Sequence, residues 1–255
     1  YQYFKQGQEE GTQYFSVVDS YTRSAAFFGT ANYSWKGRYS VNGTVRYEGT
    51  NKLGRSRSAR WLPTWNVSGA WNMHEEPWFE TLRPALSNFT LRASYSLTAD
   101  RGPSSITNSK VVITSYNPWR PSTGDSETGL GINDVENSEL TYEKKHEFNI
   151  GANMGFLDNR INVEIDWYRR NNYDLIGAIT TTGVGGRVTK YANVASMRSH
   201  GIELSLSTKN IVTKDFKWNT DFIFSKTKNT VTEFDSNVRV IDMVTGTGFT
   251  MEGYP

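Results

Sequence analysis

The 255-residue sequence has no cysteine, which rules out disulfide staples and thiolate metal sites. It also lacks any apolar run near the ~18 residues of a membrane helix, so a helical membrane protein is excluded. The net charge is only +2 and no Lys/Arg run stands out, so nucleic acid is not an expected partner. None of these absences excludes a barrel, whose lumen-facing side chains dilute the hydrophobicity of each membrane strand. What the chain does have is 8 Trp, 14 Tyr, 13 Phe and 22 Gly, with abundant Asn, Ser and Thr. That mixture points to an all-β chain with many turns. The start at Tyr1 and the end at Gly253-Tyr254-Pro255 suggest a piece of a longer protein.

The clearest pattern lies between Glu143 and Trp167. Phe148, Ile150, Ala152, Met154 and Phe156 share one face of a strand, and Glu147, Asn149, Gly151 and Asn153 share the other. After the turn Leu157-Asp158-Asn159-Arg160, Ile161, Val163, Ile165 and Trp167 alternate with Asn162, Glu164 and Asp166. The spacing predicts a hairpin with one apolar and one charged surface. Its strands exceed the ~5–6 residues usual in soluble sheets and approach the ~9–11 needed to cross a bilayer at a tilt.

The unit repeats along the chain. Residues 1–22 read as a loop. A strand from Arg23 to Trp35 turns at Lys36-Gly37 into a second from Arg38 to Glu48, with strict period-two alternation. A loop over 49–58 leads to a third strand carrying Trp61, Trp65, Val67, Gly69, Trp71 and Met73 on one side. Residues 74–87, with two prolines, suit a short helical turn before a fourth strand with Phe89, Leu91, Ala93, Tyr95 and Leu97. Residues 98–141 form the longest irregular stretch. Beyond the central hairpin and a loop over 174–196, a seventh strand holds Ile202, Leu204 and Leu206, and an eighth holds Phe216, Trp218, Phe222 and Phe224. After Lys226 the pattern fades.

Connections at 36–37, 74–87, 157–160 and 207–215 alternate with generally longer ones at 49–58, 98–141, 174–196 and 227 onward. Short turns on one side and long loops on the other mark outer-membrane barrels. Trp35, Tyr39, Trp71, Phe156, Phe216 and Trp218 lie near the short-turn ends, where an aromatic girdle belongs. A soluble β-sandwich also alternates faces. Strand length, aromatic rims and loop asymmetry favour an antiparallel transmembrane β-barrel, of which about eight strands are present.

Several stretches then resemble one family. Thr44-Val45-Arg46-Tyr47-Glu48-Gly49 with Leu53-Gly54, Trp61-Leu62-Pro63, Ala70-Trp71 and Glu75-Glu76-Pro77-Trp78 are similar to segments of SusC/RagA-type TonB-dependent transporters. So are the hairpin from Leu140 to Ile176, the strand from Asn193 to Leu204 and the closing Gly253-Tyr254-Pro255. Tyr142, Ala195 and Tyr47 depart from the commoner Trp, Gly and basic residue. The resemblance covers roughly residues 23 to 255. It implies an outer-membrane barrel with a plug domain, energised by the TonB complex and covered by a SusD-like surface lipoprotein. Residues 1–255 are then part of a barrel of about 22 strands, without the plug and the C-terminal strands. The implied activity is active import of oligosaccharides or oligopeptides, with no enzymatic step and no cofactor. A passive pore or a surface adhesin built from a small complete barrel is the alternative, because eight strands suffice for one.

Candidate contact residues fall in two groups. Tyr116, Asn117, Trp119 and Arg120 in the longest loop combine aromatic faces with polar groups, which suits a sugar ring or a peptide, or else anchoring of the loop. On the lumen face, Arg38, Arg46, Arg92, Glu147, Glu164, Asp166, Glu203 and Asp221 are expected to line the path or brace the plug, or else to form ion pairs along neighbouring strands. His74, His146 and His200 lack metal-ligand spacing, and the latter two share the outward face near the long-loop ends. The sequons at Asn32, Asn42, Asn66 and Asn88 follow from the polar face alone. The glycine-rich Gly183–Arg187 stretch lacks the Gly-Lys-Ser/Thr of a phosphate loop, and the acidic Asp125–Asn137 stretch does not match an EF-hand.

Overall fold

The structure, a computed structural model, describes residues 21–102, 111–116, 119–120, 125–126, 129–180, 189–235 and 250–254. In chain order its strands are β1 (Ser24–Trp35), β2 (Tyr39–Thr50), β3 (Trp61–Asn72), β4 (Leu86–Asp100), β5 (Val112–Tyr116), β6 (Trp119–Arg120), β7 (Asp125–Ser126), β8 (Gly129–Asp134), β9 (Glu143–Phe156), β10 (Ile161–Thr180), β11 (Thr189–Val212) and β12 (Lys217–Phe234). One antiparallel sheet of eight strands runs β1-β2-β3-β4-β9-β10-β11-β12, so each strand pairs with its chain neighbour except at β4, which pairs with β9. The β5–β8 and β6–β7 ladders form a side excursion between β4 and β9. The sheet is open: β1 and β12 are its two edges and do not pair with each other.

Register keeps the two faces separate across the sheet, because residues paired across strands point to the same face. One apolar row crosses all the strands: Trp35, Tyr39, Trp71, Leu91, Ala152, Ile165, Leu204 and Phe224. Much of this face stays open; Val41 is 52% exposed and Phe222 51%. A soluble protein covers such a surface with a second layer, whereas a barrel turns it to lipid.

Turn chemistry fixes the hairpins. Lys36 and Gly37 take positive φ of 54° and 69°, the twist that a tight hairpin requires. Leu157, Asp158 and Asn159 also lie at positive φ; Asp and Asn tolerate this region best. Between β3 and β4, two 3-10 turns, Met73–Glu75 and Pro77–Thr81, fold a cap around the buried Phe79. At that end Trp35, Tyr39 and Trp71 stack, with centroid distances of 5.8 and 5.9 Å. At the other end Tyr47 stacks on Trp61 at 5.0 Å, and Trp65, Tyr95, His146 and Tyr173 continue the line. Trp61 and Trp71 bracket β3. Their ten-residue separation spans about 33 Å along the strand, or about 25 Å along the membrane normal at a tilt of about 40°. That is the height of an outward apolar band between two girdles.

Several boundaries differ from the sequence expectation. β10 and β11 continue to Thr180 and from Thr189, so most of the expected 174–196 loop is ladder. β12 runs past Lys226 to Phe234, and the last turn shrinks to residues 213–216. The extensions of β10, β11 and β12 at the long-loop end share one cause. Above the bilayer both faces meet water, so the apolar alternation stops while the backbone hydrogen bonds continue. The 49–58 loop yields its first two residues to β2 and ends in a single helical turn, α1 (Arg57–Arg60), capped by the Ser56 hydroxyl. The 98–141 stretch is less irregular than expected, since it contains β5 to β8.

Candidate functional site

The polar face is a wall of small hydrogen-bonding groups punctuated by ion clusters. Asn32, Asn42, Ser68, Ser94 and Asn149 form one cross-strand row of amides and hydroxyls. In the row next to it, Arg92 Nη2 donates to Glu164 Oε1 at 2.6 Å and to Asp166 Oδ2 at 3.0 Å. Gly151 makes this triad possible, because a Cβ there would stand 2.1 Å from Asp166 Oδ1. Glu147 receives Arg170 at 3.0 Å and Lys145 at 3.3 Å. The Arg170 guanidinium lies over Tyr168, 4.1 Å from the ring centre. Tyr168 is itself buried over Gly201 and bonded to Thr227 at 2.6 Å.

Arg46 pairs with Glu48, which also meets Arg101. Asp221 accepts a hydrogen bond from Ser207 at 2.6 Å. Glu203 is exposed and has no ion-pair partner among the described residues. Arg38 sits in the β1–β2 turn and reaches down to Glu76 Oε2 at 3.3 Å, at the rim below the wall. The other oxygen of Glu76 accepts from Tyr39 Oη at 2.7 Å and Trp71 Nε1 at 3.2 Å. The Tyr39 hydrogen bond, with Trp71 and Arg38 behind it, holds the Glu76 carboxyl below its ordinary range against the opposing effect of desolvation.

At the long-loop end three loops are tied into one knot. Leu53, Leu140 and Tyr142 are nearly fully buried together, with Leu62, Ala99 and Ile176 against them. Gly54 N donates to Leu140 O at 2.8 Å and Arg55 N to Ser138 O at 2.9 Å. Asn193 acts as a substitute backbone: Oδ1 accepts from Thr141 N at 2.9 Å, and Nδ2 donates to Thr141 O at 2.9 Å and Asp174 O at 2.6 Å. The Tyr142 hydroxyl donates to Arg60 O at 3.2 Å, and burial pushes its phenol up against the nearby Arg101.

Among the loop candidates, Tyr116 ends β5 and Trp119 and Arg120 make up β6, while Asn117 lies outside the described residues. The glycine-rich Gly183–Arg187 stretch lies outside them too, as does part of Asp125–Asn137. His74 and His146 each find local partners, Phe89 O at 3.2 Å and Tyr95 Oη at 3.3 Å. Among the described residues no cluster of His, Asp and Glu has the arrangement of a metal site. Sequence reasoning did not single out Asn193, Tyr142, Glu76, Lys145 or Arg170 for their roles. The signals were an Asn inside a strand, a Tyr beside a polar run, and charges of opposite sign two residues apart.

Comparison with known proteins then decides what this wall belongs to. The profile of the family described as "TonB dependent receptor-like, beta-barrel" matches residues 1–253. The chain belongs to the TonB-dependent receptor β-barrel family. Within this receptor family it is 27% identical to the TonB-dependent receptor SusC of Bacteroides thetaiotaomicron over 217 residues, 82% of this chain and 21% of SusC. It is 26% identical to TonB-dependent receptor P3 of Formosa agariphila over 227 residues, 88% of this chain and 22% of that receptor. The solved structure of the RagAB peptide transporter superposes with a TM-score of 0.72 at 25% identity, covering 84% of this chain and 22% of that one. The siderophore receptor PirA of Pseudomonas aeruginosa, at 14% identity and TM-score 0.52, shares the fold, with 82% of this chain and 37% of that one covered. The SusC/RagA resemblance and the partial-barrel architecture stand, and this receptor barrel is placed in the outer membrane. The chain spans about a fifth of the length of the curated receptors it matches.

Proposed function

We propose that the protein carrying this chain is an energised importer of the SusC/RagA type, taking up oligosaccharides or oligopeptides across the outer membrane. Residues 1–255 supply part of the barrel wall and its extracellular loops, and the plug and remaining strands come from other parts of the polypeptide. A SusD-like lipoprotein covers the mouth, and the TonB complex drives the plug from the inner side. No chemistry is done on the substrate. The observation that carries this reading is the open eight-stranded wall itself, polar inside and apolar outside, whose edges do not meet. Those unpaired edges count against a complete small pore or adhesin, and the match along nearly the whole chain to a receptor barrel supports the importer.

In this reading the Asn and Ser rows and the Arg92 and Glu147 clusters face a wet lumen, where they brace the plug or contact passing solute. Glu203 and Asp221 are available to do the same. Tyr116, Asn117, Trp119 and Arg120, all within the 98–141 stretch of the sequence, are the proposed substrate contacts. The test is uptake of labelled oligosaccharides and labelled oligopeptides by cells with and without the full-length receptor. Receptor-dependent uptake of one class, abolished by a protonophore, is expected. Uptake that survives the protonophore contradicts the importer and favours a passive pore.

A further inference from the structure

The outward face changes character above its apolar band on the β10–β12 side. Trp167, Ile202 and Lys226 form one cross-strand row; Arg169, His200 and Lys228 form the next; Asn171, Arg198 and Thr230 form the one above. These rows lie on the face that carries Ile165, Leu204 and Phe224, the lipid side, and Arg169, Arg198, His200, Lys226 and Lys228 are all exposed. The carboxylates of this part of the sheet, at Glu164, Asp166, Glu203 and Asp221, lie on the opposite face. On the outward side Asp174 is taken by Lys144 at 2.6 Å, and Glu233 bonds Ser196 at 3.3 Å higher up. Among the described residues the four Arg and Lys side chains of the patch form no ion pair, and Arg198 reaches only Asn171 Oδ1 at 3.3 Å.

Height matters as much as charge. Trp218 marks the inner girdle on β12, and Lys228 stands ten positions farther along the same strand. That separation is about 33 Å along the strand and about 25 Å along the normal at a tilt of about 40°. The patch therefore sits at the outer edge of the apolar band, level with the lipid headgroups. Cations on the lipid face are costly at the midplane and tolerated at the interface, but tolerance does not explain a cluster of one sign. Phosphate does, because guanidinium binds it in bidentate fashion and ammonium binds it as a point charge.

We propose that this patch binds the phosphate groups of anionic lipid headgroups in the outer leaflet. Arg169 and Arg198 grip the phosphates, Lys226 and Lys228 flank them, and His200 supplies a ring N–H. Trp167 and Ile202, 40% and 42% exposed, offer the acyl chains a platform directly below. The proposal rests on the short turns facing the periplasm, as in the importer reading.

The test uses the full-length receptor in mild detergent, mixed with bisphosphorylated lipid A or with its dephosphorylated form. Retained lipid is counted by native mass spectrometry. The combined change Arg169→Gln, Arg198→Gln and Lys228→Gln is expected to lower retention of the bisphosphorylated lipid at least tenfold. The pair Lys226→Arg and Lys228→Arg is expected to keep it within threefold. Recovery of each variant from outer membranes as a heat-modifiable band checks folding and placement separately from lipid binding. If the triple variant lacks that band, Lys226→Gln with Lys228→Gln on β12 replaces it, with at least a threefold loss expected. Equal retention by wild type and variant, or equal retention of the dephosphorylated lipid, overturns the proposal.

Discussion

Asn193 is the residue whose removal the structure makes most informative. It sits in β11 opposite Ile176, yet its side chain completes the backbone of a different segment. Asn193→Ala removes the two bonds to Thr141 and the one to Asp174 O. At about 1 kcal/mol net per neutral bond, the loss is up to about 3 kcal/mol. Water can reach the part-buried Thr141 groups, so about 2 kcal/mol of local stability is the working figure. That is about a 30-fold rise in the opening equilibrium of residues 138–142. Amide hydrogen exchange on the full-length receptor reads it directly, with the β9–β10 ladder as an internal reference. Asn193→Asp is expected to fall at least as far, since a carboxylate then faces two carbonyl oxygens. An exchange rate that rises less than threefold in Asn193→Ala refutes the idea that this side chain holds the loops together.

Other sites in the structure carry further predictions. Gly201→Ala places a Cβ 2.7 Å from Lys226 O and 2.6 Å from Tyr168 Oη, so it should cost about 1–3 kcal/mol and lower the midpoint of heat modifiability. Gly43→Ala, with nothing within 4 Å, should leave that midpoint unchanged. Leu140→Ala opens a cavity in the knot and should cost about 2–5 kcal/mol, seen as faster proteolysis at the outer loops with the membrane strands intact. Glu76 has a depressed folded pKa, so its contribution is present above the unfolded value of about 4.3 and is lost as pH falls through the lower folded value. Limited proteolysis of the 73–85 segment should therefore quicken only below about pH 4. Glu76→Gln should remove that pH step.

The membrane-spanning part of the fold was legible in the sequence because one face meets lipid there. Phe148 to Phe156 and Ile161 to Trp167 alternate cleanly, and the register pairs them as the parity requires. Legibility ended where lipid ends. Asn171, Asn172, Lys190 and Thr230 are as strand-like in backbone as Ile165, but water on both sides removes the pattern that would announce it. Charges were assignable to a face and not to a partner. Arg92 meets Glu164 and Asp166 across two intervening strand pairings, a relation that depends on strand order and on the space above Gly151. Arg38 shows the limit from the other side: parity puts it on the wall, and the turn lets it reach Glu76. The knot of Leu53, Leu140 and Tyr142 joins segments about ninety residues apart, and no local pattern encodes that contact.

The most direct test of the account is the side of the wall that each residue faces. Nitroxide labels at Leu204→Cys and Ser205→Cys, in a cysteine-free full-length receptor reconstituted in lipid, report access to oxygen and to a water-soluble nickel chelate. The account predicts that Leu204 is relaxed by oxygen and Ser205 by nickel, with Glu203→Cys following Ser205. Equal accessibility at neighbouring positions, or the reverse order, contradicts the barrel wall as described.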